Sequence, residues 1–82
     1  MRKEFDPFDI AVGSIIKDAR KSKNLRAQDM ANYLGIYKST YFYIEAGKVG
    51  LSLSRLIKIC TYLGIDYVDV MERAREITKN GR

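Results

Sequence analysis

Glycine sets the length of the pieces from which this chain can be built. Gly35, Gly47 and Gly64 each follow an apolar or helix-forming stretch, the place where a residue with positive φ closes a helix. The only proline is Pro7, so no later segment is broken for want of an N–H. The segments so marked carry apolar residues at spacings of three and four, the period of a helix with one buried face. The chain has 82 residues, enough for one domain, and short helices with well-filled apolar faces can build its core. Apolar residues make up 46% of it, too many for a disordered tail. No repeat, low-complexity run or linker divides it, so residues 1–82 read as a single all-α domain.

Five helices are predicted. The first begins with Asp6 as N-cap and Pro7 at its first position, and runs to about Lys21 with Phe8, Val12, Ile15, Ile16 and Ala19 on one face. The second covers 27–34, with Met30, Ala31 and Leu34 inward, and the third 38–46, with Tyr41 and Ile44 inward. The fourth starts after Ser52 and buries Leu53, Leu56, Ile57, Cys60 and Leu63. Asp66 caps a fifth over 67–79, whose stripe is Tyr67, Val70, Met71, Ala74 and Ile77. The run from Tyr37 to Ile44 has high β-propensity, and strand is the competing reading there.

Net charge is +5, which suggests an anionic partner, nucleic acid or membrane surface. Its distribution is more telling. From Lys17 to Lys58 there are nine cations against three acids, so the middle of the chain carries the whole excess. The lone Cys60 permits no internal disulfide and fits a reducing compartment. The first ten residues hold no apolar run of the kind a signal peptide needs, and no stretch approaches the ~18 apolar residues of a membrane span. A cytoplasmic protein without membrane contact is expected.

The segment from Met30 to Lys48 holds the most specific pattern. Ala31 is small enough for a second helix to cross closely, Gly35 permits the positive φ of a tight turn, and Ile36 plugs the core from that turn. Tyr41 and Ile44 then hold the following helix inward, leaving Lys38, Ser39, Phe42 and Tyr43 outward or half outward. This arrangement is that of a helix-turn-helix.

Together with Gly13, Ile16 and Arg20 before it and Leu56, Ile59 and Leu63-Gly64 after it, the pattern Ala31, Leu34-Gly35, Ser39-Thr40, Ile44-Glu45, Gly47-Lys48 resembles the lambda-repressor-like Xre/Cro family over about residues 12–66. The resemblance implies a compact five-helix bundle, with helices two and three as the DNA-reading unit and dimers on an operator. It implies a buried structural ion pair between Arg20 and Glu45. It places Lys38, Ser39 and Tyr43 toward bases in the major groove. It places Tyr37, Thr40 and Lys48 near phosphates, with Arg26 supplying charge at the start of the second helix. The chain departs from the family's pattern at three points. Tyr37 stands where a capping Ser or Thr is usual, Arg26-Ala27 where Ser or Thr and then Gln open the second helix, and Leu51 where proline precedes the fourth.

Blander readings stand beside these. The six tyrosines form either a nucleic-acid stacking platform or a mixture of core, DNA-facing and surface residues. Arg20-Lys21-Ser22-Lys23 is a phosphate patch or a set of cations complementing a helix C-terminus. Cys60 is a redox sensor or a small core residue. The stripe Tyr67, Val70, Met71, Ala74, Ile77 is a dimer interface or the lid of the core. There is no histidine to partner the cysteine, no carboxylate cluster with metal spacing and no phosphate-binding glycine loop, so neither an enzyme nor a cofactor is expected. The expected function is a dimeric, repressor-type regulator reading double-stranded DNA. The alternative is a protein-interaction module, antitoxin-like, using exposed Phe42 and the last helix.

Overall fold

The computed structural model describes residues 6–80, which form α1 (Pro7–Ser22), α2 (Ala27–Leu34), α3 (Lys38–Glu45), α4 (Leu53–Leu63) and α5 (Tyr67–Asn80), with no strand among them. The starts of three helices follow from local chemistry. Asp6 Oδ1 accepts from the Phe8 N–H at 2.8 Å, ahead of Pro7 in the first turn. Ser52 Oγ accepts from the Arg55 N–H at 3.1 Å, and Asp66 Oδ1 from the Val68 N–H at 3.1 Å. Gly35 and Gly64 close α2 and α4 in the left-handed region, each donating back to the last turn. Asn24, at φ 59°, turns the chain out of α1, a conformation that asparagine tolerates.

Residues 37–44 are helical apart from the N-cap, Tyr37. Tyr41 and Ile44 are both buried, three residues apart, which a strand would place on opposite faces. Tertiary burial outweighs the β-propensity of the run. The helix stops at Glu45 and leaves Ala46 as its cap.

The core is one cluster to which all five helices contribute. Ile16, Met30, Tyr41, Ile44, Ile59, Leu63 and Val70 are its largest enclosed side chains. α1 runs through the middle, packing on α3, α4 and α5, while α2 packs on α3 and α4. α1 and α3 cross at Gly13, where the carbonyls of Ile44 and Glu45 lie so close that a Cβ would meet them at 2.6 and 2.4 Å.

Two expectations about faces need correction. Leu53, expected inside, is 54% exposed at the first position of α4, where it borders a surface groove, and Ile59 fills the core instead. Ile57 is only half-buried. The stripe on α5 is split: Val70 and Ala74 are wholly enclosed in the chain's own core and present no surface for a dimer, while Met71 and Ile77 are exposed. Cys60 is buried, and burial pushes its thiol up to about 11, so it is a core residue without the thiolate a redox sensor needs. No helix of the described residues is long and apolar enough to cross a membrane.

Candidate nucleic-acid interface

α2 and α3 meet through a turn of three residues, Gly35 to Tyr37. The Ile36 N–H donates to the Ala31 carbonyl at 3.0 Å, and the Gly35 N–H to that of Asn32 at 3.2 Å. Ala31 is fully enclosed and Ile36 packs on the core, so the turn is held from inside.

α3 therefore shows a fixed face. At 100° per residue, burying Tyr41, Ile44 and Glu45 turns Ser39 and Tyr43 to the opposite side. Both are exposed, as are Lys38 and Phe42 on one flank, whereas Thr40 is half-buried on the other beside Gly35, Ile36 and Tyr37. Lys38 and Phe42 share a shallow crevice with Arg20, Arg26, Ala27 and Gln28, where the starts of α2 and α3 come together. Tyr37 is the N-cap of α3, 82% exposed and making no side-chain capping bond. The first N–H groups of α3 are thus left for solvent or an incoming anion.

Two of the cations expected at phosphates have partners within the protein. The Arg26 guanidinium pairs with Asp29 (Nη2 to Oδ1, 3.1 Å), and Asp29 Oδ2 also accepts the Arg26 backbone N–H at 2.8 Å. These bonds, the guanidinium first, hold the Asp29 carboxyl below its usual range. The Lys48 ammonium lies 5.7 Å from the centroid of the Tyr43 ring, a cation–π approach that groups one expected base contact with one expected phosphate contact.

The rear of α3 is fixed by charge. Arg20 Nε donates to Glu45 Oε2 at 2.6 Å and Arg20 Nη2 to Oε1 at 3.2 Å. Arg20 Nη1 donates to the Leu25 carbonyl at 2.9 Å, tying the same guanidinium to the turn before α2. The hydrogen bond to Glu45 raises the Arg20 pKa further. The Tyr41 hydroxyl donates to Glu45 Oε2 at 2.5 Å. Burial first, then the bond to Glu45, push the phenol far above its ordinary range, so it stays a donor. No buried side-chain N or O among the described residues lacks a partner.

Two features escaped the sequence. Tyr33 and Tyr62 stack on each other, centroids 4.3 Å apart, joining α2 to α4, so these two are engaged with each other. Nothing local signals a pairing of residues this far apart in sequence. Phe8, Leu53, Tyr67, Val68 and Met71 line a shallow apolar groove where the N-terminal part of α1 meets α4 and α5. The run Leu53, Val68, Met71 would have been found only by knowing how the helices cross.

The comparisons agree with this architecture. A family profile described as helix-turn-helix matches residues 16–70. No curated protein matches the chain. Among solved structures, the clp gene regulator ClgR from Corynebacterium glutamicum superposes with a TM-score of 0.82 at 20% identity, over 93% of this chain and 81% of that one. At that identity the likeness speaks for the fold. By its family match over most of its length, the chain belongs to the Xre/Cro-type helix-turn-helix family of DNA-binding transcription regulators, a family of binding proteins rather than enzymes.

Proposed function

We propose that the protein is a repressor-type regulator that binds a palindromic operator in double-stranded DNA as a homodimer, with α3 in the major groove. The observation that supports this most is the outer face of α3. Ser39 and Tyr43, flanked by Lys38 and Phe42, stand exposed on a helix whose other side is fully buried and ion-paired. In this reading Lys38 donates to guanine O6 and N7, Ser39 to a base edge, and Tyr43 packs on a thymine methyl or bonds to a base. Tyr37, Thr40 and Lys48 take phosphates, and Arg26 does so while sharing its charge with Asp29. Such a protein acts in the cytoplasm, controlled by its concentration or by a partner.

The test is selection of duplexes from a random library at low and moderate salt. An inverted repeat with half-sites about 34 Å apart is expected, with affinity falling steeply as salt rises through counterion release. On that operator Lys38→Ala is expected to lose about 1–3 kcal/mol of discrimination at one base pair, measured by competition with single-position variants. Equal weakening at every sequence would instead make Lys38 a phosphate ligand.

For the dimer, the surface left to α5 is Tyr67, Met71 and Ile77, joined by Leu53 and Val68. Met71→Glu is expected to sediment as a monomer and to lose operator affinity with its fold intact by circular dichroism. An unchanged dimer would move the interface elsewhere. The same apolar groove favours the second reading, a module that docks a partner protein. Absence of any enriched motif together with absence of salt-sensitive duplex binding would favour that reading.

A further inference from the structure

Glu45 Oε2 accepts two hydrogen bonds, from Arg20 Nε at 2.6 Å and from the Tyr41 hydroxyl at 2.5 Å. The two donors differ in origin. Arg20 belongs to α1, whereas Tyr41 lies one turn before Glu45 on α3 itself and is fully enclosed. A glutamate has three rotatable bonds, so a carboxylate held only by a guanidinium can swing with it while the helix rolls about its axis. The Tyr41 ring, packed on every side, adds a second fixed point on the same helix. With both donors in place the carboxylate, the guanidinium and α3 hold one mutual orientation. We infer that the Tyr41 hydroxyl is a positioning group for base recognition: by clamping Glu45 it fixes the roll of α3, and with it the direction in which Lys38, Ser39 and Tyr43 point. The inference rests on α3 being the base-reading helix.

The scale of the effect follows from geometry. Side-chain ends lie about 5–6 Å from a helix axis, so a roll of ~10° moves them by about 1 Å. Base-edge hydrogen bonds tolerate a donor–acceptor range of only about 0.5 Å. Phosphate attraction varies slowly over that distance. Loss of the hydroxyl should therefore reduce specific binding and leave non-specific binding in place.

Tyr41→Phe is the test, because it keeps the ring, the packing and the Arg20–Glu45 pair. Wild type and variant are compared by competition between the selected operator and a scrambled duplex, at a temperature where circular dichroism shows both folded. The expected result is about a tenfold fall in the operator-to-scrambled affinity ratio, with scrambled-duplex affinity unchanged within twofold. Wild type should also show a slowly exchanging Tyr41 hydroxyl proton by NMR, a readout independent of the variant's stability. A ratio unchanged within twofold, or a hydroxyl proton in free exchange with water, overturns the inference and leaves Tyr41 as core packing. A wild-type protein that prefers no duplex overturns the operator reading itself, and the inference falls with it.

Discussion

Replacing Arg20 by alanine is expected to remove about 3–5 kcal/mol of folding stability, measured by urea denaturation. The guanidinium makes three hydrogen bonds, two to Glu45 and one to the Leu25 carbonyl. The paired side chains are 9% and 4% exposed, so little water is available to replace what is lost. Truncation leaves the Glu45 carboxylate in the interior with only the Tyr41 hydroxyl, an uncompensated charge in a region of low dielectric constant. A small domain has about 5–15 kcal/mol in all, so the loss is a large share of the total and moves the variant markedly toward its unfolding transition. Breaking the pair differs from replacing it. The triple change Arg20→Met, Glu45→Leu and Tyr41→Phe removes every charged and hydroxyl group of the network together, and it is expected to recover most of the loss. A cost below about 1 kcal/mol for Arg20→Ala would show the pair to be screened like a surface one, and α3 would need another anchor.

The same residues show which parts of the fold a sequence can reveal. Asp6, Ser52, Asp66 and the three glycines act on atoms two to four residues away, so their chemistry marks helix ends without knowledge of the fold. Arg20 and Glu45 are 25 residues apart, and no periodicity links them. Only the resemblance to a family links them, and in the sequence the third member, Tyr41, reads as a core residue alone. The limits of local pattern are plainest in α5. Tyr67, Val70, Met71, Ala74 and Ile77 form one apolar stripe in sequence, but α1 and α4 cover its Val70 and Ala74 edge and leave Met71 and Ile77 exposed. The angle at which helices cross decides that division, and residue spacing within one helix carries no information about it. Arg26 at the interface is the opposite case: Asp29 stands three residues on, in the first turn of the same helix, so the pairing that shares the charge of Arg26 lies within reach of local spacing.

Gly13→Ala is expected to destabilise the protein by about 2 kcal/mol, although alanine is the better helix former. Within α1, alanine in place of glycine should contribute about 0.8–1 kcal/mol of stability. Against that, the new Cβ would stand 2.4 Å from the Glu45 carbonyl oxygen, 2.6 Å from that of Ile44 and 2.8 Å from the Glu45 carbonyl carbon. All three are backbone atoms, so no side chain can turn aside to relieve the contact. α3 would have to retreat from α1 at the very residue that carries the carboxylate, stretching the bond to Arg20. Overpacking a close-packed site costs about 1–3 kcal/mol, and strain in the ion pair adds to it. Gly35→Ala provides the contrast. There φ is +70° but a Cβ meets nothing within 4 Å, so the cost is the left-handed backbone alone, about 1–2 kcal/mol. The two variants should therefore differ in kind. Gly35→Ala lowers the denaturation midpoint but leaves the Arg20 Nε proton protected from exchange, whereas Gly13→Ala lowers the midpoint and speeds that exchange as α3 lifts from α1. A Gly13→Ala protein as stable as wild type, with Arg20 Nε still protected, would mean that α3 is free to move at this crossing. α3 would then be held by the Arg20–Glu45–Tyr41 network and not by the close approach of the two backbones.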